Sequence, residues 1–342
     1  MSLTVVSSPL FAGHVTPPGH PESPERAEVL DGVAERARLR GVAVLEPRAA
    51  SSGELERVHT REHVQAIAAL RGRAVKIDED TFTSPASVDL AMLAAGAGIV
   101  AVDAVLDRHA TSALALVRPP GHHAESDRAM GFCFFNNIAV AAAHARSRGL
   151  GRVAVVDIDV HHGNGTQEMF YADPGVLFVS THQYPLYPGT GAASETGTGH
   201  GRGFTVNLPV EAGGVDGDYE QIVEAAVAPA VQRYRPELLL VSAGFDAHEA
   251  DPLAQMRLTT AGFGWLTASL AQMARDAGCG LVLMTEGGYA LDALASSLDA
   301  VCGVLEGGTA ITPADGWRTR TGRGDRTLAS WRAAGSPGIA GL

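Results

Sequence analysis

The chain has 342 residues, 46% of them hydrophobic, with 38 acidic against 26 basic side chains and a formal net charge of −12. That length holds one large α/β domain or two ordinary ones, and the negative balance argues against broad nucleic-acid binding. No stretch approaches the roughly 18 uncharged apolar residues of a membrane span, and the opening MSLTVVSSPLFAGH lacks the basic segment and long apolar core of a secretory signal.

In chain order, apolar strand-like runs fall at 3–7, 42–45, 113–117, 153–160, 176–180, 204–210, 237–243 and 280–285. Alanine-rich segments at about 86–108, 136–148, 218–234 and 260–277 read as helices between them. Asn136 is a cap-type residue and Gly149 a helix stop. Strands alternating with helices predict an α/β domain, its mostly parallel sheet covered by helices on both faces. One domain is expected over residues 1–308, with no repeat or low-complexity block. From 309 to 342 the composition shifts to Gly, Thr and Arg, with Arg318, Arg320, Arg323 and Arg326. This stretch reads as a surface tail pinned by Trp317 and Trp331. The three cysteines, Cys133, Cys279 and Cys302, form no Cys-x-x-Cys pair. That argues against a disulfide framework or thiolate metal site, and a reducing cytoplasm is the simplest compartment.

The strand ends carry the chemistry. The run 113–117 is followed by Arg118 and then His122-His123. The run 153–160 carries Asp157 and Asp159 and leads into His161, His162 and Asn164. The runs 176–180, 237–243 and 280–285 lead into Thr181-His182, Asp246 and Glu286-Gly-Gly-Tyr289. Five strands thus deliver polar residues next to glycines at their C-terminal ends, where open α/β sheets bind ligands. Residues two apart on a strand share a face, so Asp159 and His161 can point together. With Asp246 they make two carboxylates and an imidazole, the three-ligand set of a catalytic zinc site with an open position. His122 and His123 suit a base and a second acid or electrostatic group, with Asp157 and Asn164 as the partners that orient them. Tyr289 can offer its hydroxyl to an oxyanion. The sum is metal-assisted hydrolysis of an amide.

Other polar residues have plainer readings. His162 reads as a supporting residue, Asp251 as a turn residue, Cys133 as a core thiol, and Gly197–Gly203 as a turn that lacks the Lys-Ser/Thr of a phosphate loop. His182 is balanced between a core hydrogen-bonding role and a site role.

The blocks HPESPER (20–26), RPPGHHA (118–124), GFCFFNNIAVAA (131–142), VVDIDVHHGNGTQEMFY (155–171), YPGTG (187–191), SAGFDAHEADPL (242–253) and EGGY (286–289) resemble the histone deacetylase superfamily, on its class II and bacterial acetylpolyamine-amidohydrolase-like side. The resemblance implies an arginase/deacetylase-like α/β fold with a parallel sheet of about eight strands. It implies zinc on Asp159, His161 and Asp246, His123 as the general base, and His122 as its electrostatic partner bonded to Asp157. Asn164 would orient His123, and Tyr289 would hold the oxyanion. Gly131, Phe132 and Tyr187 would wall an acyl-lysine tunnel with Leu253 at its rim, and Arg26 would stand beside an acetate channel. Asp157, Asp159, His161, Ser180 and Thr181 would form a structural potassium site.

Polyamine-specific relatives place an acid at the rim position held here by Leu253. A neutral rim leans towards acyl-lysine or a small acylated amine, although Asp78, Glu79 and Asp80 on a rim loop carry acids that can do the same job as that rim acid. No membrane or direct nucleic-acid partner is expected. A dimetal ureohydrolase would need Asp where Gly163 stands. A non-catalytic binder of acylated ligands would have lost a ligand, the base or the tyrosine, and all are present. Fe(II) or Co(II) could use the same ligands as zinc.

Overall fold

The structure, a computed structural model, describes residues 2–308 and 319–335. Eight strands form one sheet: β1 Leu3–Ser7, β2 Ala43–Leu45, β3 Ser112–Leu116, β4 Val153–Asp157, β5 Val176–Gln183, β6 Thr205–Val210, β7 Leu238–Ala243 and β8 Gly280–Thr285. Their spatial order is β2-β1-β3-β8-β7-β4-β5-β6, and every neighbouring pair is parallel. Each of the eight apolar runs is a strand.

Alternate residues of these strands feed two separate cores, as the twofold period of a strand requires. Val153, Val155, Leu238, Leu240, Val282 and Met284 face one side. The helices Ser87–Leu106 and Asn137–Ser147 cover that side. Ala154, Val156, Leu239, Val241, Leu281 and Leu283 face the other. There the cover comes from Glu25–Leu39, Thr260–Ala277, Leu291–Leu305 and a helical run from Asp216 to Tyr234. Burial on both faces is why the strands read as continuous apolar runs.

Several expectations need correction. Glu25–Leu39 and Leu291–Leu305 are full helices that an alanine-richness signal passes over, because charged residues dilute the first and Leu, Ser and Asp the second. Strand β4 stops at Asp157, so Asp159 and His161 do not lie on a strand and their common direction has another cause. Ser87–Leu106 is long and apolar enough to cross a membrane by length and composition alone, although Asp89 and Asp103 interrupt its apolar run. Most of it is buried in the fold, as the core helix of the sheet's first face.

In the tail, the helix Arg323–Ala333 lies on β6 and on Asp216–Ile222. The Thr327 hydroxyl donates to Pro209 O at 2.7 Å, and Trp331 packs against the core. Trp317 and Arg318 lie outside the described residues.

Candidate active site

The loops after β3, β4, β7 and β8 meet at one edge of the sheet. Beyond β4 the chain is held by its own carboxylates. Asp157 Oδ1 accepts the Asp159 N–H at 3.0 Å, and Asp159 Oδ1 accepts the His161 N–H at 2.9 Å. This ladder of carboxylate-to-amide bonds turns Asp159 and His161 into one pocket, the job that strand periodicity was expected to do. Asp246, three residues past β7, accepts the Val160 N–H through Oδ1 at 2.9 Å. Asp159 Oδ2 accepts the Gly287 N–H at 2.8 Å. Backbone comes this close only because the residue is glycine: a Cβ at Gly287 would overlap Asp246 Oδ2 and lie 2.8 Å from Asp159 Oδ2.

One ligand atom each from Asp159, His161 and Asp246 lies within 4.8 Å of the others. His161 Nδ1 is 3.3 Å from Asp159 Oδ1 and 3.1 Å from Asp246 Oδ2. Burial, with the charge of Asp159, pushes the Asp246 carboxyl up to about 7. Two carboxylates converging on one imidazole in a buried site call for positive charge between them. Two oxygens and one nitrogen at this spacing fit a single divalent cation with a position left open.

His122 and His123 stand side by side, ring centroids 4.0 Å apart, in opposite electrostatic surroundings. His122 Nδ1 donates to Asp157 Oδ2 at 3.0 Å. Burial opposes its charge, but Asp159 and Asp157 outweigh burial and push it up to about 10. His123 Nδ1 faces Asn164 Oδ1 at 2.8 Å. Burial and the neighbouring His122 and His161 hold His123 well below its ordinary value. The surroundings thus favour the charged form of His122 and the neutral form of His123. Environments that drive two adjacent groups apart mark acid–base assignments.

A cavity of about 270 Å³ opens onto this site, lined by His123, Gly131, Phe132, His161, Tyr187, Leu253 and Tyr289, with Pro21, Asp80 and Leu186. Every residue expected in the tunnel lines it. Phe132 holds a left-handed backbone at φ 69°; its N–H donates to Thr81 Oγ1 at 3.1 Å and its ring meets Tyr289 edge-on at 5.8 Å. Burial keeps the Tyr289 phenol far above its ordinary value, so it remains a hydrogen-bond donor. Beside the tunnel mouth is a groove of about 700 Å³ that includes Asp78, Glu79, Asp80 and Asp127 with Lys76 and Arg128.

A model of the histone deacetylase domain matches residues 20–305. The chain belongs to the histone deacetylase family. It is 43% identical over 290 residues to the histone deacetylase-like amidohydrolase of Pseudomonas aeruginosa, covering 81% of this chain and 75% of that protein. It is 40% identical over 286 residues to a probable deacetylase of Archaeoglobus fulgidus, covering 82% and 80%. The crystal structure of the HDA15 HD domain superposes with a TM-score of 0.89 at 35% identity, covering 99% of this chain and 97% of that one. This family member is therefore an enzyme, a deacetylase, and the buried triad agrees with the metal dependence of the family.

Around the deacetylase site lie buried charges that sequence reasoning missed. Arg118 Nε and Nη2 clasp Glu22 Oε1 and Oε2 at 2.7 and 2.8 Å. Arg26, expected only beside a channel, donates to Glu22 at 3.0 Å, to Gly288 O at 2.8 Å and to Glu286 O at 2.6 Å. Its guanidinium sits 5.0 Å from the Tyr289 ring centre. Glu286 Oε2 accepts the Gly121 N–H at 2.7 Å and the His122 N–H at 3.2 Å, so β8 sets the height of the histidine loop. Asp251 caps its turn through the Leu253 N–H at 3.0 Å, as expected, and also accepts the Tyr289 N–H at 2.7 Å.

Residues read as bland behave so. His182 is buried between Ser180 Oγ and Gly191 O at 2.9 Å each, which settles its balance in favour of a core role. His162 is tied to Thr190 and Gln167 at 2.8 and 3.1 Å. Burial raises the Cys133 thiol well above its ordinary value, which leaves it unreactive.

Proposed function

We propose that the enzyme hydrolyses the amide of an acylated amine, with acyl-lysine of proteins or peptides as substrate and zinc as its metal. The observation that carries this reading is the cavity walled by Phe132, Tyr187 and Leu253 that reaches His161, one of the three residues of the Asp159, His161 and Asp246 triad. It fits an extended aliphatic chain ending in a small acyl group.

When bound on the triad, the cation supplies Lewis acidity that polarises the acyl carbonyl and acidifies a water. His123, held uncharged, takes the proton as that water attacks the carbonyl carbon. Tyr289 donates its hydroxyl hydrogen to the oxyanion that develops on the substrate. His122, held as a cation by Asp157, adds positive charge beside it. His123 then hands its proton to the departing amine as the C–N bond breaks, leaving carboxylate and free amine. Arg26 is read as flanking the route by which the carboxylate leaves. A structural potassium at Asp157, Asp159, His161, Ser180 and Thr181 draws support from the β4–β5 register, which sets Asp157 beside Ser180. Residues 1–308 are read as the catalytic domain and 309–342 as a tail packed on it, in a cytoplasmic protein.

One observation favours a small polyamine instead: the acidic groove that adjoins the tunnel mouth. Turnover by zinc-loaded protein and a chelated control on an acetyl-lysine peptide, acetylputrescine, N8-acetylspermidine and longer-acyl lysine peptides separates the two. Metal-dependent preference for the lysine peptides is expected. Preference for acetylpolyamines would overturn the substrate reading, and no turnover on any member would favour the non-catalytic binder.

A further inference from the structure

The His123 base depends on an asparagine, and an asparagine can serve it in only one of two orientations. With Oδ1 towards the imidazole, Asn164 accepts the Nδ1–H and leaves Nε2 as the basic nitrogen. With the amide turned over, Nδ2 would donate to Nδ1 and drive the proton to Nε2, where it would block base catalysis. An aspartate would present an acceptor either way, so the question arises because residue 164 is Asn.

We infer that Glu125 is a positioning residue that fixes the Asn164 amide and thereby selects the His123 tautomer. Asn164 Nδ2 donates to Glu125 Oε1 at 2.7 Å and, more weakly, to His123 O at 3.3 Å. A carboxylate accepts hydrogen bonds and donates none when ionised. Turning the amide would set Asn164 Oδ1 against the Glu125 carboxylate and against a carbonyl, two acceptors facing an acceptor. The charge of Glu125 thus excludes the wrong orientation and leaves Oδ1 on His123 Nδ1 at 2.8 Å.

Glu125 is itself built into place. Its N–H donates to Arg128 O at 2.9 Å, and its other carboxylate oxygen accepts from Arg128 Nη2 at 2.9 Å. Its carbonyl accepts from His59 Nδ1 at 3.0 Å, while His59 Nε2 accepts the Asn136 N–H at 2.9 Å. Burial holds His59 down at about 3, so this imidazole is neutral and its two ring nitrogens keep fixed roles. The Glu125 backbone is thereby anchored to the start of the helix Asn137–Ser147, while Arg128 and Asn164 hold its carboxylate from either side.

The inference rests on His123 being the base, and the experiment keeps the two apart. Steady-state kinetics would use the fastest substrate of the panel above, on wild type, Glu125→Ala, Glu125→Gln, Glu125→Ala/Asn164→Asp and His123→Ala. Nitrogen-15 spectra of histidine-labelled protein would report the His123 tautomer, its signals identified by their loss in His123→Ala. Glu125→Ala is expected to lower kcat about 10- to 100-fold, the usual effect of removing a partner that orients a site residue, with KM changed by less than about twofold. The spectrum should gain a His123 population protonated at Nε2. Glu125→Gln, which keeps an acceptor, should recover part of the loss. The double variant should recover most of it, because a carboxylate at 164 needs no orienting. A damaged fold would lose activity in the double variant as well. Unchanged kcat in Glu125→Ala, a purely Nδ1-protonated His123 in that variant, or a double variant no better than the single one would each overturn the inference. Retained turnover in His123→Ala would instead remove the base on which it stands.

Discussion

Glu22 is the hub on which the tunnel wall hangs, and replacing it with glutamine tests that directly. Its carboxylate takes three bonds of 2.7 to 3.0 Å from Arg118 and Arg26 and lies 3.3 Å from His14 Nε2. All three charged side chains have 0% exposure. Glu22→Gln keeps the shape and removes the charge, leaving two buried guanidinium groups without their carboxylate. Breaking a buried pair from one side costs about 3–5 kcal/mol, which for a domain of this size is a melting-point drop of about 4–7 °C. Urea unfolding near neutral pH should show the loss. The pH dependence follows from the sign of the shift. Burial raises the Glu22 carboxyl, but Arg118 and His14 outweigh burial and hold it far below its ordinary value of 4.5. Its contribution is therefore complete above pH 4.5 and fades as the pH falls through the folded value. The gap between wild type and variant should stay constant from neutral pH down to about 4.5 and narrow only below it. A gap under about 1 kcal/mol at neutral pH, or one that closes well above 4.5, would refute the reasoning.

Tyr289→Phe should lower kcat by on the order of 10²–10³ with metal content unchanged, as expected for the loss of one oxyanion donor; an unaltered kcat would exclude that role. Asp246→Ala should lose the cation, and full zinc occupancy by elemental analysis would overturn the ligand set. Gly287→Ala places a Cβ against Asp246 and Asp159, and should weaken zinc binding at least about tenfold in a competition titration while the melting curve stays cooperative. Leu253→Glu at the tunnel mouth should shift kcat/KM towards acetylpolyamines by about tenfold; no shift would show that the rim does not read the distant ammonium.

Much of this architecture is legible in the sequence because it rests on local pattern. The eight strands show as apolar runs because both faces of the sheet are buried, and the histidines, aspartates and tyrosine show because they interrupt those runs at their ends. What stays hidden depends on long-range pairing. Glu22 and Arg118 are far apart in the chain, and Arg26 reaches the carbonyls of Glu286 and Gly288 across most of its length. No spacing rule connects such partners. Asp251 was half legible: Asp-Pro-Leu announces a turn, but not that the same carboxylate also ties down Tyr289. Glu125 carries no signal of its own, since a glutamate after His123-Ala124 has the look of an ordinary surface residue. Asp159 and His161 were placed together for the wrong reason, by strand alternation rather than by the carboxylate ladder beyond β4.

The helix Ser87–Leu106 has a consequence for how the molecule is made. It packs on β1, β3 and β8 and on Asn137–Ser147, so part of its cover is encoded far downstream. At about 5–20 residues per second, a ribosome needs on the order of ten seconds or more after completing this helix before β8 emerges. During that interval a stretch of membrane-span length and apolarity stands incompletely covered on the nascent chain. Slowing synthesis between Leu106 and Gly280 is therefore expected to raise the fraction lost to aggregation, and an unchanged soluble yield would show that the cover already made suffices.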